Sequence, residues 1–260
     1  MVDLSLFKKI VHKILDFILN IYCRAVGYRF PTKYNWAWKL EMFLQHYERE
    51  TTNLFKEKIE RGGVIIDLGA HIGYFTSLFS ELVGKNGKVY AFEPNPELFV
   101  MLKQNTRKFE NVVLSEMAVS NKGGVINFYE SLNNTGNHSI FPADFREVKI
   151  SVNSVRLDDV IKEKVDWIKM DIEGAEPLAI EGMNRIISEN QNIKLVIEFC
   201  PDILNLTNYT PKQFIGMIYS MGFKVYAITE NGLKEITKDN NQNGIYHLTK
   251  HFINIFCIRD

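Results

Sequence analysis

VIIDLGAHIGYFT, residues 64–76, is a short apolar run that stops at Asp67 and breaks into a loop with glycines at 69 and 73. A run of this kind bounded by glycine fits a strand buried on both faces, as in a parallel sheet. Gly69 lets the backbone come within van der Waals distance of a ligand, which a β-carbon would prevent. The stretch therefore predicts a strand, a tight turn and a helix start, the first unit of a nucleotide-binding α/β fold.

Downstream the alternation continues. Helix 74–83 ends at Gly84, strand 88–92 (KVYAF) ends at Glu93, and Asn95 caps a helix with Pro96 at its first position. Strand 112–118 follows. The rhythm then changes: GGVINFYES and VKISVNSVRL alternate as strands on either side of the polar loop NNTGNHSIFPADF. Residues 122–156 are thus expected to form a β insertion whose loop lies over the ligand cleft. Parallel order resumes with VDWIKM (165–170), a helix over about 175–188, KLVIEF (194–199), a helix opened by Thr210 and Pro211, and KVYAI (224–228). The last strand, INIFCI, has no helix to return it and must run antiparallel. The expected fold class is α/β: a doubly wound, seven-stranded, mostly parallel sheet over residues 61–260 with an antiparallel last strand, the β insertion, and an N-terminal helical appendage over residues 1–60.

Upstream, Leu4, Phe7, Val11, Ile14, Ile18, Ile21 and Tyr22 recur at three- and four-residue steps, with Lys8, Lys9, His12, Lys13 and Asp16 between them. This predicts an amphipathic helix with a basic polar face. It suits its own domain, the second subunit of a homodimer, or an anionic membrane surface contacted through residues 4–22, with Trp36 and Trp38 close by. A second helical pattern (Leu40, Phe43, Leu44, Tyr47, then Leu54, Phe55, Ile59) leads to the first strand.

The chain has 260 residues, 46% of them hydrophobic, enough for one sizeable core. Basic and acidic residues balance at 31 each, so net charge gives no argument for a nucleic-acid partner. Their distribution is uneven: residues 1–40 hold seven Lys/Arg against Asp3 and Asp16, leaving 24 basic and 29 acidic residues in the rest. Three widely spaced cysteines, Cys23, Cys200 and Cys257, argue against a disulfide framework and against a zinc site. No apolar run reaches the ~18 residues of a spanning helix, and a cytoplasmic setting, with peripheral membrane contact through the N-terminal helix as the variant, is expected.

Ligands of doubly wound sheets sit beyond the carboxyl ends of the strands. There the chain places Asp67 with the Gly69 loop, Glu93, Ala118 with Val119, Asp171 in IKMDIEGAE, and Glu198 in VIEF. An acid closing the second strand, about 20 residues after the glycine loop, can accept hydrogen bonds from both hydroxyls of a ribose. The Gly69-x-x-x-Gly73 spacing lacks the pattern that seats a pyrophosphate on a helix N-terminus, so it suits a ligand with a ribose and no pyrophosphate.

VIIDLGAHIGYFT, the acid of AFEPNP, and above all WIKMDIEGAE with its downstream VIEF resemble the FkbM family of S-adenosylmethionine-dependent methyltransferases, over residues 63 to 230. The resemblance implies a seven-stranded class I methyltransferase fold, S-adenosyl-L-methionine as cofactor, and O-methylation of a hydroxyl on a sugar or a secondary metabolite. It implies that Gly69, Ala70, His71 and Gly73 line the methionine moiety, Glu93 the ribose, and Ala118 with Val119 the adenine, while Asp171 and Glu173 stand near the transferred methyl. His71 stands where the family often has Asn, so only a contact carries over there. The wider set expected to face the cofactor adds Asp67, Phe75, Thr76, Asn95 and Asp171.

Methylating a hydroxyl requires in-line placement and a group to take its proton. His138, Asp171, Glu173 and Glu198 are the candidates, His138 because an ordinary imidazole titrates near neutrality. Asp171 and Glu198, on adjacent strand ends, could also hold Mg²⁺; no metal is expected. Two competing functions remain at this level. An NAD(P)-linked oxidoreductase is opposed by the glycine spacing and by the lack of a Tyr-x-x-x-Lys pair. A module that binds a nucleoside without catalysis is opposed by the retained acids. The leading expectation is an O-methyltransferase acting on a hydroxyl of a small molecule, glycan or glycolipid precursor.

Overall fold

A computed structural model describes residues 4–32, 34–132, 134–237 and 252–259, without the side chains of residues 4–9. The side chains of Leu4, Phe7, Lys8 and Lys9 in the helical pattern, with Asp3, Lys33 and Asn133, therefore lie outside the described residues.

The chain runs α1 (Leu4–Val26), α2 (Trp36–Phe43), α3 (Arg49–Lys58), β1 (Val64–Leu68), α4 (Tyr74–Val83), β2 (Lys88–Phe92), α5 (Pro96–Thr106), β3 (Val112–Ser115) and β4 (Ala118–Val119). It continues through β5 (Gly124–Glu130), a 3-10 turn (Thr135–Asn137), β6 (Val148–Val155), α6 (Leu157–Val160), β7 (Trp167–Met170), α7 (Glu176–Glu181), α8 (Asn184–Glu189) and β8 (Lys194–Phe199). It closes with α9 (Pro201–Leu204), α10 (Pro211–Ser220), β9 (Lys224–Thr229), β10 (Gly232–Ile236) and β11 (Ile253–Ile258).

All seven expected strands join one sheet, in the order β10-β9-β11-β8-β7-β1-β2-β3. β1 pairs in parallel with β2 and β7, β7 with β8, and β2 with β3. β11 is antiparallel to both β8 and β9, as its missing crossover requires. The eighth strand, β10, is the return arm of a hairpin with β9. Four of its five residues are exposed, so its sequence GLKEI lacks the apolar run that marks the inner strands.

Two further differences have local causes. The expected strand 112–118 divides: β3 stays in the main sheet, whereas Ala118 and Val119 pair in parallel with Ser154 and Val155 of β6, in a separate three-stranded sheet with β5. The helix expected over 175–188 breaks between α7 and α8 at Gly182, where the backbone runs so close to the Ser120 carbonyl that a β-carbon would strike it. Asp158 then caps the new helix, accepting from the amides of Arg185 at 2.9 Å and Ile186 at 3.0 Å.

Helices cover both faces of the sheet. One core layer packs Phe55 of α3 and Phe75, Leu78 and Phe79 of α4 against Ile65, Trp167 and Phe256. The other sets Ala179, Ile187 and Phe214 of α7, α8 and α10 against Ile66, Ile168 and Ile197. The register aligns the strand ends: Leu68 lies beside Phe92 and beside Met170, and Met170 beside Ile197. The next residues, Gly69, Glu93, Asp171 and Glu198, consequently share one rim.

Candidate functional site

At the end of β1, the amides of Gly69 and Ala70 both donate to the Phe92 carbonyl at 3.0 Å, which ties the glycine loop to the end of β2. Gly69 has φ +74°, and a β-carbon there would overlap the Asp171 carbonyl oxygen, so three strand ends converge on a position that only glycine fills without strain. Glu93 is buried and both of its oxygens are fixed by main chain, Oε2 accepting from the His71 amide and Oε1 from the Asn95 amide, each at 2.9 Å. Burial pushes its carboxyl up to about 7, and these two bonds oppose the shift. Asp67 accepts from Thr76 Oγ1 at 2.6 Å through Oδ2, while its buried Oδ1 has no hydrogen-bond partner.

Strand alternation places Lys169 beside Asp67 on the α4 side of the sheet, 3.9 Å from Asp67 Oδ1 and 3.2 Å from Asp171 Oδ2, over the Phe75 ring. Burial opposes the lysine charge, but Asp171, Asp67 and Glu48 outweigh it and hold the ammonium above its ordinary range. The loop DIEGAE is folded around its last acid: Glu176 accepts from the amides of Ile172 at 3.0 Å and Gly174 at 2.9 Å. That pull puts Glu173 in the left-handed region, φ +53°, followed by Gly174 at +95°. Glu173 and Glu198 are both raised above the usual carboxylate range by burial and by Asp171. Asp171, Glu173 and Glu198 each bring an oxygen within 4.8 Å of the others, a spacing that admits a shared proton or a divalent cation.

The insertion reaches this loop directly. Ser139 Oγ donates to the Glu173 carbonyl at 2.7 Å. Arg146, buried, donates to the carbonyls of Asn137 at 2.7 Å and Phe141 at 2.9 Å, and its Nη2 stands 3.7 Å from Glu173 Oε2 with no hydrogen bond. His138 accepts the Ser131 amide on Nδ1 at 3.0 Å, so the neutral ring carries its proton on Nε2. His71 sits at φ +52°, bonded through Nε2 to Thr135 Oγ1 at 3.1 Å and stacked on Tyr34. Burial depresses it to about 4, so it stays neutral.

These groups surround a cavity that is partly open to solvent. Asp67, Gly69, Ala70, His71, Phe75, Glu93, Ala118, Val119, His138, Asp171 and Glu173 line it. Gly73, Thr76 and Asn95 stand behind the wall. Gly73 begins α4 against Leu102, Thr76 holds Asp67, and Asn95 caps α5 through Leu98 while donating to Glu130. Glu198 belongs to the acid cluster without lining the cavity.

The sequence reading did not nominate Lys169, Glu48, Tyr34, Met42 or Tyr47, all of which line the cavity. A lysine inside an apolar strand was the available signal for the first, since a buried lysine needs a partner. The others come from the N-terminal segment, where no motif marks them. Burial raises Glu48 to about 7, and Asn254 on β11 donates to it at 2.7 Å.

The model of the methyltransferase FkbM domain matches residues 67–225, more than half of the chain. Among curated proteins, the hexuronic acid methyltransferase AglP of Haloferax volcanii is 26% identical over 156 residues, covering 58% of this chain and 61% of the relative. The 2-O-methyltransferase NoeI of Sinorhizobium fredii is 28% identical over 152 residues, 50% of this chain and 61% of the relative. The chain therefore spans about three fifths of the length of these relatives. Among solved structures, a Clostridium thermocellum protein assigned as an rRNA methylase superposes with a TM-score of 0.50 over 81% of this chain and 94% of its own, at 10% identity, a likeness of fold.

Proposed function

The chain belongs to the FkbM methyltransferase family, and from that premise we propose that it moves a methyl group from S-adenosylmethionine to a hydroxyl of a sugar in a glycan or glycolipid precursor. The observation that carries the reading is the pairing of two kinds of acid around one cavity: Glu93 and Asp67, held by main chain and Thr76, and Asp171 with Glu173 on the neighbouring strand end. When bound, S-adenosylmethionine supplies an activated methyl on a sulfonium, an ammonium at its amino-acid end, and a ribose.

The residues fit such a group. Asp67 Oδ1, buried without a hydrogen-bond partner, is an acceptor for an ammonium. Each oxygen of Glu93 keeps a lone pair for a ribose hydroxyl beyond its bond to main chain. Ala118 and Val119 offer a flat apolar wall for a base. Asp171, fixed by Lys169, orients the acceptor hydroxyl, and Glu173 takes its proton, since a carboxylate with a raised pKa is a better base near neutral pH than an ordinary one. The names of two relatives, a hexuronic acid methyltransferase and a 2-O-methyltransferase, support a sugar hydroxyl as acceptor.

Titration calorimetry with S-adenosylmethionine, followed by transfer assays on uronic acid and neutral glycosides, tests this. Saturable heat and methyl transfer to a glycoside are expected. Absence of heat would remove the cofactor assignment, and transfer to phenols or carboxylates alone would remove the sugar.

A further inference from the structure

The N-terminal helix leaves a broad apolar stripe turned away from the protein. Ile10, Ile14, Phe17, Ile18 and Ile21 of α1 fall within an arc of ~100° on a helix of 3.6 residues per turn, and all five point to solvent, with exposures of 49%, 52%, 65%, 55% and 54%. The side turned toward the protein mixes polar groups with the half-buried Val11, Leu15 and Leu19. Asp16 and Asn20 accept from Lys39 Nζ at 3.2 and 3.0 Å, and Lys39 on α2 is only 3% exposed. Cys23 is buried on the same side, and His12 meets Trp36 edge-on at 5.7 Å. A buried lysine bonded to two polar groups of α1 fixes this orientation.

We propose that α1 lies on an anionic membrane surface with its apolar stripe inserted among the lipids. Charge selects the occupant. Lys13 and Arg24 are exposed along one border of the stripe, and of the two acids in residues 1–40, Asp16 is turned inward onto Lys39. A second copy of the chain packed on the stripe would set these cations against their own counterparts, with no acid of α1 facing them. An anionic lipid surface neutralises them, and exposed Trp38 on α2 adds the amphipathic ring favoured at that depth. No described helix is long and apolar enough to cross a membrane, so the contact is along the surface.

The membrane face adjoins the cavity. Tyr34 meets Trp38 edge-on at 5.1 Å and stacks on His71 at 6.0 Å. An acceptor carried on a lipid would arrive at this edge; that consequence rests on the proposed methyl transfer, whereas vesicle binding is read without any turnover.

The test is flotation of the whole protein with vesicles of phosphatidylcholine alone and of phosphatidylcholine mixed with phosphatidylglycerol, beside light scattering in the absence of lipid. The protein is expected to float with the anionic vesicles at least tenfold more than with the neutral ones, and less as salt rises. Phe17→Glu, at the most exposed position of the stripe, and the double variant Lys13→Glu/Arg24→Glu should each abolish flotation with an unchanged melting temperature. Wild-type protein that stays at the bottom of the gradient, or that floats equally on both vesicles, would overturn the proposal. So would a stable dimer that Phe17→Glu splits while flotation is absent.

Discussion

The two sides of the cavity are held by different forces. On the β1–β2 side, carboxylates meet main-chain amides: Glu93 takes those of His71 and Asn95, and the Gly69 loop is tied to Phe92. On the β7–β8 side, carboxylates meet one another, with Asp171, Glu173 and Glu198 crowded together and, among the described residues, Lys169 and Arg146 to offset them. A main-chain cradle has one shape before any ligand arrives and costs little to organise at binding. A cluster of like charges has no such rest state, and its protons depend on what enters. The first arrangement suits recognition of a constant partner, the second suits proton transfer.

The comparison breaks most visibly at Asp171. Asp171→Asn keeps the shape and removes the charge that pairs with Lys169 and orients the acceptor, so turnover should fall by roughly 10²-fold, the usual cost of a misplaced reactant. Cofactor affinity should stay within a few fold by calorimetry. Turnover within tenfold of the wild type would take Asp171 out of the machinery.

Glu93→Gln should do the opposite, costing about 1.5–3 kcal/mol for a charge-assisted hydrogen bond, or roughly tenfold to 150-fold in cofactor affinity, with a smaller change in kcat. It also carries a pH signature. The folded protein raises this carboxyl from 4.5 to about 7, so its contribution to stability is fully present below about 4.5 and is lost as pH rises through about 7. Melting temperature followed between pH 5 and pH 8 should therefore decline less steeply in Glu93→Gln, which has no proton to lose. Parallel curves would show that Glu93 does not titrate in this range.

The same contrast explains what could be read from the sequence. Gly69, Glu93 and Asp171 were legible because each closes a strand, and strands announce themselves by apolar runs such as VIIDL, KVYAF and WIKM. Glu176 folds the loop that accounts for the spacing of DIEGAE. Tyr34, Glu48 and Arg146 were not, because each is placed by tertiary contacts: Tyr34 and Glu48 line the cavity, Glu48 with its bond from Asn254, and Arg146 reaches Glu173 by wrapping the loop at Asn137 and Phe141. Helix α1 shows the limit most sharply. Its periodicity predicted the helix, yet which side faces the protein is set by tertiary partners such as the buried Lys39 and Trp36, about which local pattern carries no information.

Arg146 offers a finer test of the acid cluster. Its charge lowers the pKa of Glu173 against burial and Asp171. Arg146→Gln should raise that pKa further, so that the acidic limb of the kcat profile moves to higher pH while cofactor affinity holds. A limb that stays in place while the rate drops uniformly would show that Arg146 acts only by shaping the loop.

His138 carries the smallest expected effect, and it decides whether the insertion takes part in the chemistry. Its Nδ1 already accepts the Ser131 amide, and the neutral ring holds its proton on Nε2. A base that must receive a proton from the acceptor would have to give up this bond and move the proton to Nδ1. The geometry favours a role in holding the loop. One neutral hydrogen bond is worth about 1 kcal/mol, so His138→Ala should lower kcat by roughly fivefold. His138→Asn, whose carbonyl can still accept from Ser131, should recover most of that loss with an unaltered pH profile. If both variants instead lose about a hundredfold or more, with the acidic limb of the profile gone, the imidazole is the base and the proton leaves through the insertion rather than through the strand-end acids.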